Sequence, residues 1–346
     1  MSHRFITSYQ PLVEARRGIS QESIHFGALV VATPDGKTVA ALGDPDLKTF
    51  PRSALKSLQA LELIESGAAD ALKLSPEHLA LACASHRAEP FQVQLVTEWL
   101  TGLDLHASDL ACGPAWPADP TDRDRRIASG LSASPLCHNC SGKHTGMLSV
   151  CRHAGYSTSG YARIEHPLQQ KIVKHVEQLI GRSISEEDLG IDGCDLPAIP
   201  LTLLETATAV ARFASGSGAT DRQSDAMRRL LEAMKMHPDH IAGKGQPPQI
   251  ICEATAGRVL VKTGAEGFLV AWLPEERLGV AIKTADGSDR ARFPILVRLL
   301  SHLGLLARAE RETLRNVEYP VIRNSVGRSV GQLCPVDASF ATLKAL

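Results

Sequence analysis

The 346-residue sequence lacks the features of a membrane, exported or nucleic-acid-binding protein. No stretch approaches about eighteen consecutive apolar residues, the length that crosses a bilayer, and the N-terminal MSHRF lacks the apolar segment of a signal peptide. There is no dense Lys/Arg tract and the formal net charge is -1, so neither a nucleic acid nor a membrane surface is expected as a partner. We therefore expect a cytoplasmic protein.

The sequence also has no glycine-rich phosphate loop and no internal repeat. Its 44% hydrophobic and 22% charged residues are typical of a globular protein, and its length allows one large domain or two interleaved domains. The eight cysteines are expected to remain thiols, because disulfides are rare in the reducing cytosol. Most, such as Cys83 and Cys252, lie in apolar surroundings and are interpreted as small buried residues. Cys137, Cys140 and Cys194 lie instead in polar, glycine-containing segments.

The segment FPRSALKSLQ, residues 50–59, places a hydroxyl and an amine three residues apart at the start of an apolar-periodic stretch. On a helix, Ser53 and Lys56 share one face. A serine needs a nearby base to act as a nucleophile, and a lysine can be that base only when desolvation or a neighbouring cation keeps it neutral. This spacing also occurs in ordinary solvated helices, but with Lys262-Thr263-Gly264 it forms the S-x-x-K and K-T-G pair of a serine-acylation pattern. We expect Ser53 at a helix N-terminus, where the dipole and free amides favour an oxyanion.

Apolar alternation and turn residues predict a hairpin near the N-terminus, a meander of three strands after residue 257, and a mostly helical region between them. The predicted strands are residues 24–32, 38–42, 258–262, 267–272 and 278–283, and the predicted helices include residues 142–153, 166–180, 200–214, 221–236 and 287–306. The segment 105–136 is rich in Pro, Gly, Ser and Asp and predicts a long surface loop that acts as a lid or binding loop.

This order of strands, helices and strands predicts an α+β fold rather than a Rossmann-like alternation. We expect one antiparallel sheet flanked by helices, built from about residues 1–50 and 250–346. It would carry an inserted, mostly helical subdomain of about residues 51–249, and the whole chain would form a single catalytic unit.

The run CHNCSGKHTGML, which begins at Cys137, is open to four interpretations. A redox Cys-x-x-Cys pair requires a thioredoxin-like βαβ setting, and a zinc knuckle requires a second closely spaced ligand pair; the sequence offers neither. The run is also typical of the polar start of a buried helix. A functional interpretation joins Cys140 and Lys143 with Cys194 as a metal site, which requires the lysine to be deprotonated.

Five motifs in this order, FPRSALKSLQ, CASHRAEP, CHNCSGKHTGML, IDGCDLPA and KTGAEG, resemble the class 3 (Rhizobium-type) L-asparaginases, whose fold is similar to serine β-lactamases and serine-dependent glutaminases. The resemblance implies that Ser53 is the nucleophile and Lys56 its base. It makes Ser85 and Lys262 a second Ser-Lys pair that relays protons and depresses the pKa of Lys56.

The same resemblance implies a metal site, usually zinc, at Cys140, Lys143 and Cys194, with a water as fourth ligand. Asp192 would contact that water or the substrate amine. It also suggests a homodimer.

The expected activity is hydrolysis of free L-asparagine to L-aspartate and ammonia through an acyl-enzyme. The substrate needs a cation for its α-carboxylate, for which Arg52 and His86 are candidates, and an acceptor for its α-ammonium, for which Asp192 and Glu266 are candidates. Three alternatives stay open: a glutaminase, a penicillin-recognising serine hydrolase, and a relative that binds a metal or ligand without catalysis. The penicillin-recognising class is disfavoured because no S-D-N triplet lies between the two lysine motifs.

Overall fold

The computed structural model describes residues 8–344, which divide into two compact units. The first unit comprises the described residues up to Ala54, together with Leu201–Ser215 and the described residues from Ile250 onward. The second comprises Leu55–Pro200 and Gly216–Gln249. Each unit therefore draws on segments that are distant in the sequence.

The first unit contains an eight-stranded antiparallel sheet. Its strands are β1 (Gln10–Arg17), β2 (Ser20–Ala32), β3 (Thr38–Leu42), β4 (Leu260–Thr263), β5 (Phe268–Leu273), β6 (Leu278–Thr284), β7 (Val321–Arg323) and β8 (Ser329–Pro335). The strand order is β7-β8-β1-β2-β6-β5-β4, and β3 also pairs with β2. This sheet, built from both ends of the chain, confirms the predicted α+β fold.

The predicted hairpin and meander are confirmed by the pairings β2/β3, β4/β5 and β5/β6. The sequence prediction lacked β1, β7 and β8. These strands contain charged or polar residues and many exposed positions, so their apolar alternation is weak. Strand β1 is also irregular, with shifts in its pairing to β2 at two places.

The two faces of the sheet are covered by different helices. Side chains of one face, including Val261, Leu269 and Ile282, belong to a large apolar core with the helix Arg292–His302. The helix Leu203–Ser215 packs against β6 on the unit's own sheet, and a Cβ at Gly279 would lie 2.1 Å from a carbonyl oxygen of that helix. Periodicity predicted this helix but assigned it to the helical subdomain, because periodicity does not say what a helix packs against.

The remaining helices of the first unit are short and lie near the end of the described chain. They are Arg308–Thr313, Arg315–Glu318 and Asp337–Phe340, and the unit also holds the two-residue strand pair Lys48–Thr49 with Leu201–Thr202. The helix Pro247–Ala254 contains the sequence boundary between the units, because residues up to Gln249 belong to the second unit and residues from Ile250 onward belong to the first.

The second unit is mostly helical. Its helices are Lys56–Gln59, Leu61–Glu65, Ala68–Ala71, Pro76–Ala82, Pro90–Gly102, Pro120–Ala128, Ser141–Ala154, Pro167–Ile180, Asp221–Met236 and Pro238–Ala242, and a two-residue pair joins Gly190–Ile191 to Pro197–Ala198.

The central helix of this unit is Ser141–Ala154, whose residues 141–151 are all buried. Gly142 permits close packing on the neighbouring helix Pro76–Ala82, because a Cβ there would lie 2.5 Å from the carbonyl oxygen of Leu81. The helix ends at Gly155, which has a φ of 69° and is therefore a left-handed C-terminal residue. The polar motif CHNCSGKH thus leads into the interior of the unit.

The segment 105–136, predicted as one long loop, contains the helix Pro120–Ala128 and two 3-10 turns, Ala107–Asp109 and Pro135–Cys137. The side chain of Asp119 caps the helix by accepting hydrogen bonds from two backbone amides. None of the helix residues is buried, so it has no apolar face for a sequence pattern to detect.

All eight cysteines lie within the described residues, where they are buried and form no disulfide. Among residues 8–344, no helix combines the length and the apolar character needed to cross a membrane.

Candidate active site

Ser53 lies in the 3-10 helix Arg52–Leu55, which is followed by the α-helix Lys56–Gln59. Ser53 is partly exposed, whereas Lys56 is fully buried. Arg52 has a φ of 52°, in the left-handed region that residues other than glycine seldom adopt. The expected helix N-terminus at Ser53 is confirmed, in the form of a 3-10 turn that leads into the α-helix. An α-helix of four residues that begins after this turn sums few peptide dipoles for an oxyanion.

The amine of Lys56 has three hydrogen-bond acceptors within the second unit. Its Nζ donates to the Ser85 hydroxyl at 3.0 Å, to the Ala84 carbonyl at 2.6 Å and to the Asn139 carbonyl at 3.2 Å. These acceptors match the three N–H donors of an ammonium group. If the amine loses a proton, its lone pair can accept a hydrogen bond from the Ser85 hydroxyl. The two carbonyls cannot donate one, because a carbonyl has no proton. The pair can therefore pass a proton in either direction.

Burial is the main influence on the protonation of Lys56. It lowers the pKa of the amine, because a charge is poorly solvated in the interior. The negative charge of a Cys140 thiolate opposes this effect, and the Lys143 ammonium adds to it. The net direction is a pKa below the ordinary value of 10.5, as a lysine base requires.

The segment that carries Ser85 is held from both sides. The Ser85 amide donates to the Ile241 carbonyl at 2.9 Å. The next residue, His86, accepts a hydrogen bond from the Ala88 amide at Nδ1, so its Nε2 carries the proton and donates to Ser141 at 2.7 Å. Burial, with the Lys56 charge second, lowers the pKa of His86 to about 3. His86 is thus a neutral positioning group, not the cation that the sequence suggested for the substrate carboxylate.

Lys262 is buried at the end of β4, where its Nζ donates to the carbonyl of Thr263 at 2.7 Å. The next residue, Gly264, lies against the backbone before Ser53, since a Cβ at Gly264 would be 2.3 Å from the Pro51 carbonyl oxygen. Within the first unit, the K-T-G motif therefore contacts the segment that leads into Ser53. Only glycine fits this approach.

The three predicted metal ligands are all buried and meet in the second unit. Lys143 Nζ donates to the Cys194 sulfur at 3.2 Å, and the Cys140 and Cys194 side chains are hydrogen-bonded. The hydrogen bond from Cys194 lowers the pKa of Cys140 and raises that of Cys194. Burial lowers the pKa of Lys143, but its interactions with the two cysteines raise it more, so a metal at this site would have to displace a proton from the amine. Two sulfurs and a nitrogen form a donor set that fits zinc.

The other predicted substrate contacts lie in tight turns. Asp192 is partly exposed, and its carboxylate accepts a hydrogen bond from the Gly193 amide at 2.7 Å. Its charge also acts on the amine of Lys143. Glu266 has a φ of 56°, and its carboxylate lies against Gly287, where a Cβ would be 2.5 Å from Oε2. The Glu266 side chain thus packs against a loop of its own unit.

Sequence reasoning missed two contacts in the second unit, the Asn139 carbonyl on Lys56 and the Ser141 hydroxyl on His86, and one in the first unit, the Pro51 carbonyl against Gly264. Asn139 and Ser141 belong to the CHNCSGKH run, so the motif itself was a signal. The role of the Pro51 carbonyl cannot be predicted from residue type, because every residue has a backbone carbonyl.

A family model described as L-asparaginase II matches residues 13–335. The chain belongs to the L-asparaginase II family. This confirms the family resemblance seen in the five motifs. No curated protein matches the sequence.

Several solved structures are similar to the chain. The native form of a protein named Mglu is 15% identical with a TM-score of 0.45, covering 81% of this chain and 64% of that one. A glutamate form of Mglu is 16% identical with a TM-score of 0.41, covering 81% and 61%. A β-lactamase from Mycobacterium bovis is 14% identical with a TM-score of 0.40, covering 84% and 95%. The chain thus spans less than two thirds of these two Mglu chains.

Proposed function

We propose that this member of the L-asparaginase II family hydrolyses free L-asparagine to L-aspartate and ammonia through a serine-bound acyl-enzyme. The observation that carries the proposal is the hydrogen bond of the buried Lys56 amine to the Ser85 hydroxyl, at 3.0 Å. Lys56 follows Ser53 by three residues in the sequence. A buried lysine with a depressed pKa beside a hydroxyl is the arrangement that a Ser-Lys hydrolase needs.

In the proposed reaction, the Ser53 hydroxyl attacks the side-chain amide carbon of asparagine and Lys56 takes the hydroxyl proton. Backbone amides near Ser53 stabilise the oxyanion. Ser85 and Lys262 pass a proton to the leaving nitrogen, which departs as ammonia. Lys56 then returns its proton to the Ser85-Lys262 pair. Water attacks the Ser53 ester, and Lys56 takes a proton from the water and gives it to the Ser53 oxygen as aspartate leaves.

The role of Lys262 beside Ser53 is supported by a contact inside the first unit. Gly264 follows Lys262 by two residues, and its backbone touches the Pro51 carbonyl, two residues before Ser53. A second buried amine near the serine would favour a neutral Lys56 by charge repulsion.

For substrate binding we propose Arg52 as the partner of the α-carboxylate, because a guanidinium forms paired hydrogen bonds with a carboxylate. Asp192 is the proposed acceptor for the α-ammonium group. His86 is no longer assigned to the carboxylate, since both of its ring nitrogens already have partners. Glu266 is given a different role below.

Zinc is the proposed metal at Cys140, Lys143 and Cys194. When bound, it would supply a fixed positive charge and keep the lysine deprotonated. Even without it, Cys140 influences Lys56 through its charge and Asn139 holds the same amine, so this cluster supports the base. We also propose a homodimer, which light scattering of the purified protein tests directly.

The decisive experiment compares Ser53→Ala with Ser57→Ala in an ammonia-release assay. Ser57 is a matched control, because it is buried in the next turn and its hydroxyl has no hydrogen-bond partner among the described residues. We expect Ser53→Ala to lower kcat by a factor of about 10³ or more, and Ser57→Ala to keep wild-type turnover. Normal turnover in Ser53→Ala would reject the nucleophile assignment.

The same assay separates the substrate classes. Asparagine is expected to be the better substrate, and glutamine differs by one methylene, which a pocket discriminates by about 1–3 kcal/mol. Turnover of glutamine alone would make the chain a glutaminase, and turnover of the β-lactam nitrocefin would make it a penicillin-recognising hydrolase. Inactivity toward all three would indicate a relative that binds without catalysis.

A further inference from the structure

The turn that follows Lys262 and Thr263 is unusually constrained. Residues 264–267 connect β4 to β5, with the Gly264 amide donating to the Phe268 carbonyl at 2.9 Å. Glu266 and Gly267 are both left-handed, with φ values of 56° and 68°. A Cβ at Gly267 would lie 1.7 Å from the Thr284 hydroxyl oxygen, so no other residue fits there. Such a conformation persists only when its surroundings hold it.

One holding group is Lys283 on β6. Its position pairs with Phe268 in the sheet, directly beside the end of the turn. Its buried Nζ donates to the Glu266 carbonyl and to the Thr284 carbonyl, both at 2.6 Å. A buried amine is costly unless it is hydrogen-bonded, so placing one here fixes the Glu266 carbonyl strongly.

A second holding group is Arg292, at the start of the helix Arg292–His302. Its Nη1 donates to the Gly264 carbonyl at 3.0 Å and also contacts the Asp289 carboxylate. The guanidinium is mostly buried, with 12% of the side chain exposed. The first and third carbonyls of the turn are therefore each bound by a cation from a different element.

We propose that Lys283 and Arg292 are positioning residues that clamp the 264–267 turn and thereby fix Lys262 for its catalytic role. The inference rests on the proposed function for Lys262. The Glu266 carboxylate belongs to the same clamp, because it lies against Gly287 and is close enough to act on Lys283: burial lowers the pKa of Lys283, and the Glu266 charge opposes that effect. Holding Gly264 in place also preserves its contact with Pro51, the segment before Ser53.

The test removes each cation and measures the turn directly by hydrogen exchange with mass spectrometry. In Lys283→Met and in Arg292→Gln, amide exchange in the peptide spanning the turn should become about 10- to 100-fold faster, since each change deletes a hydrogen bond to a charged group. Exchange in the helix Ser141–Ala154, which belongs to the second unit, should stay unchanged. Arg292→Lys keeps one donor and should restore part of the protection. The control is Lys174→Met, which removes an exposed lysine.

Activity provides the second measurement. Both variants should lower kcat for asparagine about tenfold or more with a smaller change in KM, because the turn fixes a reacting group. Unchanged exchange at the turn would overturn the clamp. Faster exchange with unchanged kcat, in a protein that Lys262→Ala inactivates, would overturn the positioning role and leave the proposed function intact. Full activity in Lys262→Ala would refute the proposed function itself. The exchange measurement would still show whether Lys283 and Arg292 hold the turn.

Discussion

Replacing Lys56 by methionine removes the buried amine and keeps nearly the same side-chain volume. Three acceptors then lose their donor: the carbonyls of Ala84 and Asn139 and the hydroxyl of Ser85. Each buried carbonyl left without a partner costs about 1–3 kcal/mol. The variant also no longer buries an amine, and burying a charged amine destabilises the folded state by about several kcal/mol. These effects have opposite signs, so we expect the free energy of unfolding to change by no more than about 2 kcal/mol, a shift in Tm of a few degrees.

The effect on catalysis should be much larger. Without a base to take the Ser53 proton, kcat should fall by a factor of about 10³ or more, which corresponds to about 4 kcal/mol in the activation free energy. A large loss of turnover with a small change in Tm separates a chemical role from a structural one. Ammonia release and thermal unfolding of the same sample measure both quantities.

A second variant, Lys56→Arg, sharpens the test. Arginine keeps a positive charge and several donors for the same acceptors, but it does not deprotonate in proteins. We expect a folded protein that is as inactive as Lys56→Met. In the wild type, kcat/KM should rise with pH as Lys56 loses its proton, at a pH below the ordinary lysine value of 10.5 because burial lowers this pKa. Substantial turnover by the arginine variant would refute the reasoning that Lys56 is the base.

Three further predictions concern the surroundings of the site. Gly264→Ala should lower both kcat and Tm, since its Cβ would lie 2.3 Å from a backbone carbonyl oxygen. The control Gly102→Ala should change neither, because a Cβ at Gly102 would have no atom within 4 Å. Equal effects of the two substitutions would contradict this prediction. Cys194→Ala should reduce the zinc content of reductively purified protein and Cys252→Ala should not, as metal analysis would reveal. Glu62 accepts hydrogen bonds from a lysine and a histidine that, against the raising effect of burial, lower its pKa. The stabilisation from Glu62 is thus present above about pH 4.5 and is lost as the pH falls through the lower pKa of Glu62 in the folded protein. Glu62→Gln should therefore destabilise the protein by about 2 kcal/mol at pH 7 and by less near pH 3. Urea unfolding at the two pH values measures this difference.

The sequence predicted the α+β class and most of the longer elements because these depend on local patterns. Helices such as Pro167–Ile180 and Asp221–Met236 have amphipathic periodicity and clear N-caps, so their bounds are close to those predicted. The helix Leu203–Ser215 was equally visible, but the unit it belongs to is decided by its packing on the sheet. Strand β1 and the helix Pro120–Ala128 are half or wholly exposed, and a pattern of buried residues cannot reveal what is not buried.

The candidate site divides in the same way. Ser53 and Lys56 are visible from spacing, whereas the Lys56 to Ser85 hydrogen bond joins residues 29 positions apart and depends on tertiary structure. His86 shows the limit of assigning a role by residue type. Beside a proposed amino-acid site it suggests a cation, yet burial and two occupied nitrogens make it a neutral group that orders its own turn.

Four lysines of the described residues have exposed fractions of 9% or less: Lys56 and Lys143 in the second unit, and Lys262 and Lys283 in the first. Each is costly to bury, so burial alone cannot tell a catalytic lysine from a structural one. For Lys56 and Lys283, the partner of the amine makes the distinction. A carbonyl can only accept a hydrogen bond, so the two carbonyls bound by the Lys283 amine let it hold a turn but give it no proton. The Ser85 hydroxyl both accepts and donates. The hydrogen bond from Lys56 to that hydroxyl is therefore the one to perturb first, because a proton can cross it in both directions.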